Sequence, residues 1–157
     1  MRHDSILESR DSYWPDEAAC RRWAEGLAAR PALRDATIEL HGPLGAGKTT
    51  FVRHLLRALG VQGRIKSPTF AVLEPYQLPG LAISHFDFYR FDDPREWEDA
   101  GFRELFAAPG LKLCEWPEKA QGMLPVPDLR LHIEPVDEHR RQVRAEACTP
   151  RGLELLQ

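Results

Sequence analysis

The chain of 157 residues contains no asparagine, only three cysteines and no excess of positive charge. It also lacks any apolar run of the roughly 18 residues that a spanning helix needs. Each shortage removes a class of function. Without asparagine there is no N-K-x-D guanine reader, so a GTPase-like switch is a weak reading. Cys20, Cys114 and Cys148 are far apart and odd in number, and none belongs to a CxxC or a Cys/His pair with metal spacing. They read as buried thiols in a reducing compartment. The opening residues MRHDSILESRDSY hold no apolar signal core, so neither secretion nor a membrane span is supported and the expected location is the cytoplasm. The net charge of −3 argues against unaided binding of nucleic acid, which rests on neutralising phosphates. Any RNA connection is expected to be indirect, through a protein partner.

The length predicts one domain over residues 1–157, with residues 1–11 loose and an early strand within residues 1–13 as the alternative. A hydrophobic fraction of 43% is enough to build a core. The stretch that organises the rest is TIELHGPLGAGKTTFVRHLLRALG, residues 37–60. It contains GPLGAGKT, residues 42–49, a full match to the Walker A pattern G-x-x-x-x-G-K-[ST]. Residues 37–41 before it alternate like a strand. Phe51, Leu55 and Leu59 after it recur at helical spacing, and Gly60 is placed to end the helix. A strand, a glycine-rich turn and a helix N-terminus together make a phosphate cradle. The backbone of Gly45, Ala46, Gly47 and Thr50 lines it, Lys48 supplies a cation, and the Thr49 hydroxyl is placed for Mg²⁺.

Elsewhere, residues 16–29 predict a helix with Ala19, Trp23 and Leu27 on its apolar face and Pro31 limiting its end. Residues 69–76 and 81–88 read as strands joined by the turn QLPG, hence an antiparallel hairpin and a mixed sheet. Residues 93–96, DPRE, look like a helix start, and a short helix is expected over 102–106. A strand over 111–116 is stopped by Pro117, with a brief helix near 118–121. Leu129, Leu131 and Ile133 alternate on one late strand and Val143, Ala145 and Ala147 on another, and a last helix is expected at 152–156.

Binding triphosphate is not enough for turnover, which needs an acid for the metal and a group to orient the attacking atom. Asp87 ends LAISHFD and Glu115 ends LKLCE, and strand ends of open α/β sheets gather near the phosphate loop. Both are candidates for the metal and the catalysis, and Trp116 is the tryptophan expected beside them. Thr69, in SPT, stands where nucleotide switches carry a phosphate-sensing threonine, though a plain strand-entry turn fits the pattern equally. His85 reads as structural. Arg90 suits either a finger on the phosphates or a loop anchor. A small-molecule kinase is the alternative to an ATPase, with Arg90, Arg95 and Arg103 as its lid.

Taken together, GPLGAGKTTFVRHLLRALG, KSPTF followed by EPY, HFDFYR and EWPEKA resemble the TsaE family, small P-loop ATPases of bacterial tRNA threonylcarbamoyladenosine biosynthesis. The resemblance spans residues 12–147. Departures are Pro43, where an acidic residue is common, and Phe88 and Phe91 in place of leucines. The resemblance implies a compact three-layer α/β P-loop fold with a mixed parallel and antiparallel sheet. It implies ATP and Mg²⁺ as ligands, weak hydrolysis by the protein alone, and partnership with the TsaD–TsaB transferase pair. By position it assigns Lys48 and Thr49 to phosphates and metal, Asp87 and Glu115 to metal or attacking water, and Thr69 to the switch. Pro15, Glu17 and, more weakly, His139 or Arg140 would face the adenosine.

Overall fold

The structure, a computed structural model, describes residues 5–66, 68, 73–91, 101–120 and 122–157. Thr69 and the expected helix start at 93–96 lie outside these, as does the first part of the strand expected over 69–76.

A single seven-stranded sheet organises the chain. Its strands are β1 (Glu8–Trp14), β2 (Thr37–His41), β3 (Leu73–Leu78), β4 (Leu81–Asp87), β5 (Leu111–Glu115), β6 (Leu129–Pro135) and β7 (Arg141–Ala147). Their spatial order is β1-β7-β6-β2-β5-β4-β3. The centre is parallel, with β2 flanked by β5 and β6 and β5 flanked by β4. Both edges are antiparallel, through β3 on β4 and through β6, β7 and β1. The sheet is therefore mixed, as the short QLPG connection requires. Pro75 falls in β3, an edge strand, where a missing N–H is least costly.

The opening segment carries the early strand and is not loose throughout. From Glu8 onward it forms β1, paired with β7 from Glu8↔Ala147 to Trp14↔Arg141. An edge strand with most residues exposed shows no apolar alternation, and its partner lies over a hundred residues away, so no local signal announces it.

Helix α1 (Glu17–Ala28) starts where Asp16 caps it, its carboxylate accepting from Ala19 N at 2.9 Å. A 3₁₀ helix, Pro31–Asp35, follows. Helix α2 (Lys48–Leu59) buries Phe51, Val52, Leu55 and Leu56 and ends at Gly60 in the left-handed conformation. Helix α3 spans Phe102–Ala107, and the turn after β5 is a 3₁₀ helix, Pro117–Ala120. Helix α4, Pro150–Leu155, is capped by Thr149.

Strand alternation sorts the core into two layers. Ile38 and Leu40 of β2, Ile83 of β4 and Leu111 and Leu113 of β5 join α1 and α2 in one cluster. Phe86 and Cys114, on the opposite face, join Phe88, Phe91 and Phe102 of the α3 side in another. Fully burying each such side chain is worth roughly 1.5–3 kcal/mol. Glu39 departs from its expected pattern. It is 1% exposed on the second face, where His41 Nε2 lies 3.0 Å and Arg130 Nε 3.4 Å from its Oε1.

On β4 and β5 the face toward α2 changes character along the strands. It is apolar at Leu81, Ile83, Leu111 and Leu113, then polar at His85, Asp87 and Glu115. The polar end is the carboxyl end, where the loop between β2 and α2 sits.

Candidate functional site

The loop from Gly42 to Gly47 leaves β2 and turns into α2. Ala46 N donates to Pro43 O at 3.0 Å, and Gly47 caps the helix with φ of 104°. Gly42 packs so closely on β6 that a Cβ there would overlap the Ile133 carbonyl oxygen. The loop is therefore bare backbone pressed against the sheet, with the first N–H groups of α2 left without helical partners.

Lys48 is buried. Its Nζ donates to Gly42 O at 2.5 Å and lies 3.5 Å from the centroid of the Trp116 ring. Burial pushes its pKa down, against the upward pull of Glu115, Glu118 and Asp87. Trp116 is in the left-handed region at φ of 55°, an uncommon conformation for a bulky residue, and this turn carries its ring beneath the lysine. Tyr89 packs on the same ring, centroids 5.0 Å apart.

Thr49 Oγ1 lies 3.0 Å from Glu115 Oε1 and 3.2 Å from Oε2. Glu115 is 2% exposed, and its Oε2 is also 2.6 Å from His85 Nε2. Asp87 stands opposite Glu115 in the β4–β5 register and accepts from Tyr89 N at 3.0 Å. Desolvation raises its pKa, Tyr89's N–H opposes this, and the neighbouring Glu115 charge adds to the rise. A cleft of about 330 Å³ brings Lys48, Thr49, Asp87, Glu115 and Trp116 together with Gly45–Thr50 of the loop.

A second hollow of about 150 Å³ adjoins the loop at Ala46, Gly47 and Thr50, with Trp14, Glu17 and Cys20 on its other wall. Burial pushes the Cys20 thiol up to about 12, with Glu17 adding to the rise. Of the residues assigned to an adenosine, Glu17 lines this hollow and its carboxylate lies 3.3 Å from His54 Nε2. Pro15 is exposed and adjoins it in the chain, and His139 lines it. Arg140 turns elsewhere, pairing with Asp137 at 2.5 Å. The next residue, Arg141, lines the hollow instead. Its Nε donates to Ala46 O at 2.7 Å and its Nη1 to Asp137 O at 2.9 Å, clasping the phosphate loop to the start of β7. Strand parity was the available signal: Arg141 shares the inward face with Val143 and Ala145.

Thr49, Asp87 and Glu115 bring a hydroxyl and two carboxylates to the cleft, an oxygen set suited to a hard cation. Among the described residues no group of three His, Cys, Asp or Glu could hold a metal on protein ligands alone. No helix among the described residues is long and apolar enough to cross a membrane.

Comparison with known proteins places this geometry in a family. The family model described as threonylcarbamoyl adenosine biosynthesis protein TsaE matches residues 14–143. A TsaE protein of Haemophilus influenzae is 41% identical over 138 residues, covering 85% of this chain and 87% of its own. One of Bacillus subtilis is 36% identical, covering 74% and 73%. The crystal structure of Bacillus subtilis YdiB superposes with a TM-score of 0.79 at 26% identity, over 97% of this chain and 94% of that one. The chain belongs to the TsaE family of tRNA threonylcarbamoyladenosine biosynthesis proteins.

Proposed function

We propose that this protein binds ATP with Mg²⁺ and hydrolyses it slowly, in support of the TsaD–TsaB transferase pair that modifies tRNA. The observation that carries the reading is the meeting of Thr49 with Glu115, 3.0 Å apart at the mouth of the phosphate loop. A hydroxyl from the loop and a carboxylate from a neighbouring strand end are what a phosphate-bound cation needs as protein ligands. Magnesium, when bound, neutralises charge on the phosphate oxygens. The loop N–H groups and Lys48 hold the phosphates, and Trp116 shields the lysine from water. Asp87 and Glu115 serve the metal or orient the attacking water and take its proton. The tRNA is reached only through the transferase pair.

The test is phosphate release from ATP by the pure protein, then with TsaD and TsaB added. Strong stimulation by the pair is expected. Fast phosphoryl transfer to a small metabolite without the pair would replace this reading by that of a kinase.

Lys48→Ala is expected to weaken ATP binding by about 10–150-fold, the equivalent of about 1.5–3 kcal/mol for a charge-assisted contact. Titration calorimetry checks it, and unchanged affinity would remove the phosphate assignment.

A further inference from the structure

We propose that His85 is a positioning residue of the hydrolytic site, holding the Glu115 carboxylate in the orientation that serves the metal and the water. The inference rests on the ATPase reading above and adds a residue to it.

His85 lies on β4 two residues before Asp87, so both side chains take the same face of the sheet. That face is the one toward α2. Two of the neighbouring positions are apolar, Ile83 before it and Leu113, its partner on β5, while Glu74 stands opposite it on the edge strand β3. A histidine in such surroundings, itself 0% exposed, calls for a reason. Among the described residues its one hydrogen-bond partner is Glu115, with Nε2 and Oε2 2.6 Å apart. Its other nitrogen, Nδ1, is buried and has no hydrogen-bond partner among the described residues. A histidine that merely satisfied a polar gap in the core would use both nitrogens. This one spends a buried, half-satisfied ring on a single carboxylate oxygen.

The geometry of Glu115 shows what that accomplishes. The carboxylate is 2% exposed and has two oxygens to share. With the carboxylate ionised, Nε2–H donates to Oε2 from below, which fixes the terminal torsion of the side chain. Thr49 Oγ1 then approaches Oε1 at 3.0 Å, the shorter of its two contacts. Oε1 is thereby turned toward the loop. Without the imidazole the carboxylate keeps only the Thr49 hydroxyl as a partner, and its orientation loosens. Residues that orient the ligands of a metal commonly govern activity by about 10–100-fold when removed. A shift of about 1 Å in a reacting group has effects of the same order.

The experiment compares His85→Leu, His85→Gln and His85→Asn in the full chain. ATP turnover is measured with and without the TsaD–TsaB pair, and affinity for magnesium ADP by calorimetry. His85→Leu is expected to lower turnover by about 10–100-fold while affinity stays near that of the wild type. His85→Gln, whose amide nitrogen reaches the Nε2 position, is expected to restore most of the loss. His85→Asn, which reaches only the Nδ1 position, is not. Added to Glu115→Gln, His85→Leu should cost no further turnover, because the two act as one unit. Equal turnover in wild type and His85→Leu overturns the proposal, and so does rescue by asparagine rather than glutamine. A parallel fall of turnover and affinity also overturns it, since that marks a purely structural role. Should His85→Leu fail to fold, the glutamine and asparagine pair decides alone. An inactive wild type, with and without the pair, sinks the ATPase reading itself; an active wild type matched by His85→Leu sinks only the role of His85.

Discussion

Glu115→Gln is expected to reduce ATP turnover by at least about 100-fold while the protein still folds and binds nucleotide. The substitution keeps the size of the side chain and its hydrogen-bonding capacity toward Thr49 and His85, whose partner atoms now lie within 3.2 Å. What it removes is the negative charge. A neutral amide neither ligates a hard cation well nor accepts a proton from water. Glu115→Ala is a harsher change, since it strands the buried His85 without its partner, and a loss of stability is expected to accompany the loss of turnover. Phosphate release assayed beside a thermal melt separates the two effects. Wild-type turnover in Glu115→Gln would reduce Glu115 to a structural acid.

The second large effect concerns stability and lies far from the site. Gly152→Ala is expected to destabilise the protein by about 2–4 kcal/mol, against the ordinary rule that alanine improves a helix. Gly152 is in the first turn of α4, and a Cβ there would overlap the backbone carbonyl oxygen of Asp128. Room cannot be made by turning a side chain, because the obstacle is main chain. Asp128 is also the clasp of this corner. Its Oδ2 accepts from Thr37 N at 2.8 Å, its Oδ1 from Thr149 Oγ1 at 2.6 Å, and its carbonyl from Cys148 N at 3.0 Å. Moving α4 away disturbs all three, at the entry to β2. A melting temperature lower by about 5–15 °C is the readout for a chain of this size. Gly26→Ala supplies the control: nothing stands within 4 Å of its would-be Cβ, in the middle of α1, and a gain of about 0.5–1 kcal/mol is expected. Equal behaviour of the two variants would show that the close approach at Gly152 relaxes freely.

Several features of the fold were legible because their causes are local. Gly60 as a stop and the QLPG turn each act within a few residues. Positions whose partner is distant misled or stayed silent. β1 reads as a polar segment, loose or an early strand, and the choice is made by β7, which pairs with it. Glu39 is a polar member of an alternating strand, yet it is buried, with Arg130 from β6 beside it. Arg140 and Arg141 are indistinguishable in a run of three basic residues until the strand's parity decides which one points inward. His85 reads as a core histidine, and only the parallel pairing of β4 with β5 brings Glu115 to it.

By itself the sequence determined the phosphate loop, since a strand end, bare glycine backbone and a helix N-terminus are contiguous and each follows from residues next to it. It determined the family as well, through four motifs in order. Only the tertiary structure decided which side chains meet that loop. Lys48 over Trp116, Thr49 on Glu115, Glu115 on His85 and Arg141 on Ala46 are contacts between residues 30–95 or so positions apart. Their geometry is set by strand order and by the two-residue alternation of side chains across the sheet, which no local stretch of chain contains.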